Sequence, residues 1–162
     1  MASHGSRFAL CCSHMVPPGR IRISEALLTE WAMSCVHIDH LGTRIQNELR
    51  PLGEHPSVID LAEGARRSAG TFRGELHLHG ARHSNACIAN PQSMPIPAVL
   101  LNRWTETCIQ IFNLGSLLNE GLPRDLAHRR AIDLTGRVIR RAWTMYNDLR
   151  RHGATGMGPD LA

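Results

Sequence analysis

Apolar and polar positions divide the chain into four helical stretches framed by segments without period. Residues 1–22 carry two glycines, the Pro17-Pro18-Gly19 breaker and no helical period, and read as a flexible or extended arm. Ser24 then stands as an N-cap, with Ile23 before it and Leu28 four positions after it in the places of a hydrophobic staple. Leu27, Trp31, Ile38, Leu41, Ile45 and Leu49 recur at three- and four-residue steps, the inner face of a helix over about 24–50 that Pro51 and Gly53 stop. A second helix, about 56–79, starts near His55-Pro56-Ser57 and carries the stripe Val58, Leu61, Ala65, Ala69, Phe72 and Leu76. Gly64, Gly70 and Gly74 interrupt it, each at a cost of up to about 1 kcal/mol against Ala. Such a helix either admits a close neighbour or breaks near Gly70.

Gly80, Asn90-Pro91, Pro95 and Pro97 mark residues 80–97 as one long loop. The third helix follows over about 98–119, with Gly121 and Pro123 as stop signals. Leu100, Leu101, Trp104, Cys108, Ile111, Phe112, Leu117 and Leu118 make it apolar over most of its circumference, and only Arg103, Glu106 and Glu120 bear charge. It is therefore expected to be the central helix or to carry an oligomer interface. The fourth helix, about 124–152, has the stripe Ala127, Ala131, Leu134, Val138, Ala142, Met145 and Leu149, widened by Ile132, Ile139, Trp143 and Tyr146. Residues 153–162 read as a loose tail. No internal repeat and no strand signal stands out. The fold expected is all-α: a single-domain four-helix bundle over 23–152 between an arm and a tail.

Composition supports this picture. The 162 residues suffice to bury a core without disulfides or a structural metal, and 4% aromatic content leaves that core to aliphatic side chains. No run of apolar residues is long enough to span a membrane, and the N-terminus has no secretory pattern. Cys11, Cys12, Cys35, Cys87 and Cys108 form an odd set without a CxxC pair. That argues for a reducing, intracellular and cytoplasmic setting, with Cys35 and Cys108 as small buried hydrophobes.

Charge changes the picture more. All 18 basic residues are Arg, for a net +4, and eight of them fall in residues 124–152 against three Asp. Arg129, Arg130, Arg137, Arg140 and Arg141 share the polar side of the last helix and can track a phosphate backbone or dock on an acidic protein surface. Asp133 is spaced to pair with Arg129 and Arg137, which would neutralise part of that face. No aromatic residue is interleaved among these arginines, so base stacking on the face is not expected.

Ten histidines suggest a second chemistry. His37 and His40 lie one turn apart on the first helix, while His77 and His79 close the second, with His83 just beyond. A zinc site joining the two groups is conceivable, but no Glu-x-x-His pair occurs, and exposed or capping roles account for them more simply. Arg50–His55 and Arg73–His79 resemble in spacing the Arg-x4–6-His motif of the HEPN ribonucleases, which are four-helix bundles. Pro51 and Gly74 occupy the positions where that family carries a polar residue, and neither pair lies in the last helix, so the chain is not assigned to it. No nucleophile elbow and no phosphate-binding glycine loop is present. Trp31, Trp104 and Trp143 lie on three separate helices, where they serve core packing better than a ligand pocket.

The function expected is a non-enzymatic binding or accessory protein that offers the Arg face to an acidic partner, nucleic acid or protein. No cofactor is called for, and self-association through residues 98–119 is a further expectation. The alternatives are a structural subunit of a larger assembly, or a metal-dependent or HEPN-like RNA-cleaving enzyme.

Overall fold

Residues 19–84 and 90–154 are described by the structure, a computed structural model of the chain. Most of the expected arm, the tail beyond Ala154, and Cys11, Cys12 and Cys87 lie outside the described residues.

Four helices form: α1 (Glu25–Leu49), α2 (Pro56–Leu78), α3 (Ala98–Gly121) and α4 (Arg129–Arg151). They pack as a ring in which α1 and α3 each touch both α2 and α4. The expected stripes face inward, except that Ala127 is exposed in the turn before α4. Ile38, Ile45, Leu49, Phe72, Leu76, Leu101, Ile111, Val138 and Leu149 are all buried. Trp31 and Trp104 meet edge to face across the ring at 6.4 Å. Each indole keeps its N–H satisfied at the margin of the core, Trp31 by Asp148 at 3.3 Å and Trp104 by Glu75 at 2.7 Å. Burial pushes the Cys35 thiol up to about 12 and raises that of Cys108, so both are inert core residues.

The ring corrects the expected ranking of helices. α3 is a corner like the others, not a central helix, and its outward side leaves Leu117 exposed. Its near absence of charge reflects a weakly polar outer face. α2 runs unbroken through Gly70 and Gly74, which face open space. Gly64 is the close-approach glycine there, since a Cβ would stand 3.3 Å from Leu114 of α3.

Two strands also form where none was expected. β1 (Arg20–Ser24) pairs antiparallel with β2 (Ser93–Pro97), in a register that sets Ile21 opposite Ile96. Residues 20–22 therefore belong to this ribbon, not to an arm, and the stretch 80–97 is not wholly loop. An isolated ribbon of this size is marginal in water. This one is held because Ile23 and Ile96 are buried in the core, while Pro95 and Pro97 sit where an edge strand tolerates a missing N–H. Each strand runs straight into a helix. The ladder continues through Glu25 N–H to Gln92 O and Ala98 N–H to Gly19 O, both 2.7 Å, and these bonds satisfy first-turn donors of α1 and α3. Ser24 also caps α1 with its hydroxyl on Leu27 N–H at 3.1 Å.

At the opposite end, α4 begins at Arg129 rather than at about 124. Asp125 explains the delay: its carboxylate accepts the backbone N–H of His128 at 2.9 Å and bonds the ring Nδ1 at 2.7 Å, a local turn that competes with helix. Nε2 of the same buried ring bonds Glu54, so His128 ties the α3–α4 connection to the α1–α2 connection. The bond from Asp125, with that from Glu54, raises the His128 pKa above the ordinary value of 6.5 against the opposing effect of burial.

Candidate functional site

α4 turns its aliphatic stripe into the core, and this fixes where its arginines stand. Arg137, Arg140 and Arg141 project into a cleft of about 320 Å³ between α4 and α1. Ser34, His37 and Leu41 of α1 form the facing wall, and Thr144 closes the line on α4. No carboxylate among the described residues lines the cleft. Among the described residues, none of the three guanidinium groups makes an ion pair. Thr144 gives its hydroxyl proton to Arg140 O at 2.9 Å, whereas Ser34 makes no hydrogen bond among the described residues and keeps its hydroxyl free for a ligand.

The five arginines of the expected face thus separate. Arg130 is engaged by Glu48 of α1 at 3.5 Å. Arg129 stands at the start of α4 in a shallow hollow with Arg124, Asp125, Leu126 and Ile132. The pairing of Asp133 with Arg129 and Arg137 does not form. An exposed pair of this kind gains little over the entropy of holding two side chains together, so helical spacing alone does not bring it about. Arg137 therefore lies one turn from Arg140 and Arg141 without a counter-charge. Such like-charge spacing costs a few tenths of a kcal/mol per pair. A bound anion with several oxygens would relieve it, since each guanidinium can hold two of them.

The histidines are dispersed. His37 joins the arginine cleft, and His40 is exposed on the outer side of α1. His77 stacks on His83 at 4.3 Å and bonds Ala81 O through Nδ1 at 2.9 Å, and its buried Nε2 has no partner among the described residues. His79 caps the end of α2, its ring edge-on to Trp104 at 6.0 Å. Among the described residues no three His, Cys, Asp or Glu side chains come together in a way that could hold a metal ion. The two Arg–His pairs of HEPN-like spacing lie at opposite ends of α2. His55 is occupied as its N-cap, accepting Ser57 N–H at 3.2 Å.

A second concavity lies beside the first and was not expected. Phe112 of α3 with Ile139 and Trp143 of α4 line an apolar groove of about 290 Å³, and Arg140 closes it. Arg140 thus borders both the groove and the cleft. Trp143 is stacked on Tyr146 at 5.2 Å and tilted against Phe112 at 5.6 Å. Ile139 and Trp143 already widened the apolar stripe in the sequence. The surplus width, more than half-turn coverage of a two-neighbour helix requires, was the available signal. An aromatic residue therefore does flank the basic face, on its α3 side.

No protein-family model, no curated protein and no solved structure matches this chain. Among the described residues no helix is long and apolar enough to cross a membrane.

Proposed function

We propose that the chain is a non-enzymatic binding protein whose α1/α4 cleft receives an acidic partner, either nucleic acid or an acidic protein surface. The supporting observation is the convergence of Arg137, Arg140 and Arg141 on one concavity without a carboxylate. Elsewhere in the same bundle Arg66, Arg67, Arg82, Arg103, Arg130 and Arg151 are each matched to an acid. Among the described residues Arg44 and Arg73 also make no ion pair; what sets Arg137, Arg140 and Arg141 apart is that the three line one cleft together. Ser34 and His37 add polar donors to the facing wall, and Arg129 extends the basic strip toward the start of α4.

Binding of fluorescein-labelled poly-glutamate and of a duplex DNA oligomer, titrated with salt, tests this reading. If the three arginines contact three phosphates, duplex affinity should fall roughly 40-fold between 50 and 200 mM salt. The triple variant Arg137→Gln, Arg140→Gln, Arg141→Gln should lose most binding to both polyanions while melting as the parent does. Binding of both polyanions that ignores the triple variant refutes the reading. Self-association through the outward side of α3, where Leu117 is 55% exposed, is a second use of the surface, and sedimentation over a range of concentrations checks it.

A further inference from the structure

We infer that the apolar groove and the arginine cleft are two halves of one site, and that its occupant is an acidic amphipathic helix of a partner protein. This rests on the reading of the cleft given above and names the partner class. The joint between the halves is Arg140, which lines both. An occupant lying along the outer side of α4 meets Phe112, Ile139 and Trp143 on one flank and Arg137, Arg140 and Arg141 on the other. A helix with an apolar stripe beside a carboxylate stripe matches both flanks at once, in the helix-in-groove mode of recognition.

The chemistry of the groove separates this occupant from a nucleic acid. A phosphate backbone suits the cleft equally well, but the base beside it would have to enter the groove. The groove walls are Phe112, Ile139, Arg140 and Trp143; the guanidinium and the indole N–H are donors only, so no side chain there offers an acceptor to the amino groups of a base edge. Buried polar edges without partners oppose binding, whereas a Leu, Met or Phe side chain has no such edge. Trp143 is stacked on Tyr146 and tilted against Phe112, which leaves it less of its ring to offer a base than a free platform would have.

The test uses the intact chain and three fluorescein-labelled probes at fixed ionic strength. The first is an 18-residue Ala-based helical peptide with Leu at i and i+4 flanked by Glu. The second is the same peptide with both Leu replaced by Ala, and the third is a single-stranded DNA oligomer. The Leu peptide should bind roughly ten-fold or more tightly than its Ala control, the increment that burial of apolar side chains supplies. Phe112→Ala should erase that increment and leave the Ala control unchanged. Ile139→Glu, which sets a carboxylate in the apolar groove, should also erase the increment if Phe112→Ala fails to fold, while its charge weakens both acidic peptides. Equal binding of the two peptides, or an increment that survives Ile139→Glu, overturns the two-part site while leaving the cleft reading intact. DNA that binds more tightly than the Leu peptide overturns the choice of partner. Concentration-dependent dimerisation abolished by Ile139→Glu would assign the groove to a second copy of this chain and also overturn it. Indifference of the peptides and the DNA alike to the Arg137, Arg140, Arg141 triple variant would instead remove the reading beneath.

Discussion

α1 is flanked by two seams that use arginine in opposite ways. On the α2 side, Arg66 bonds Asp39 at 2.8 Å, and its Nη1 bonds both Glu63 and Gln46 at 3.0 Å. Gln46 in turn donates to Glu63 at 3.0 Å, so the charges of this cluster are answered from within. On the α4 side, Arg137, Arg140 and Arg141 face Ser34, His37 and Leu41, none of which carries negative charge. The Asp39–Glu63–Arg66 cluster of the first seam spends its charges internally and ties α1 to α2. The second carries net repulsion within the fold and a surplus of directed donors. Density of arginine does not distinguish the two seams; the presence or absence of a facing acid does.

The contrast can be broken first on the closed seam. A Cβ at Gly42 would stand 2.4 Å from Arg66 Cγ and 3.4 Å from Ala62 O. Gly42→Ala should therefore push Arg66 off its partners or part the helices, at a cost of about 1–3 kcal/mol in urea unfolding. Anion binding at the cleft, on the far side of α1, should persist in the folded variant. A change of comparable size in affinity is expected when the open seam is closed artificially. Ser34→Glu sets a carboxylate against the three arginines, and should weaken poly-glutamate binding by about ten-fold without loss of thermal stability.

Acid titration sharpens the comparison further. Glu63 sits below its ordinary pKa of 4.5, chiefly through the hydrogen bond from Gln46 and then through Arg66 and Arg67. A carboxyl whose folded pKa is depressed adds stability that is present above its unfolded pKa and fades as pH falls through the folded one. Glu63→Gln should thus flatten the loss of stability below about pH 4.5 in denaturant midpoints, whereas Arg141→Gln should leave that slope unchanged because no acid lines the cleft. The smallest effect is expected from Arg141→Gln at neutral pH. Removing one of the like charges should raise stability by a few tenths of a kcal/mol while weakening anion binding, the signature of a residue retained for function at the expense of the fold.

Much of the bundle was legible in order along the chain. Trp31, Ile38 and Leu49, like Phe72, Leu76, Val138 and Leu149, stand at helical spacing and are buried for that reason alone. The ribbon was not legible, because β1 and β2 are five residues each and owe their pairing to the core beneath Ile23 and Ile96. Nor was the delayed start of α4, which depends on Asp125 and on a histidine anchored by Glu54 from a distant connection. Of the cleft lining, Arg137, Arg140 and Arg141 share a face legible in the sequence, whereas His37 stands there as a metal candidate against the simpler exposed or capping role and Ser34 carries no signal at all.

What the sequence by itself determined is the set of helices, their inward faces and the concentration of Arg on the outside of the last one. These follow from a 3.6-residue period and need no neighbour to be specified. Which arginines keep their charge available was decided only by the tertiary structure. Arg130 meets Glu48 and Arg66 meets Asp39 and Glu63, while Arg137, Arg140 and Arg141 meet no acid among the described residues. The reason is geometric: the counter-charge of a surface residue is chosen by the rotation and register of the adjacent helix, and those are set by how the cores of two helices interlock.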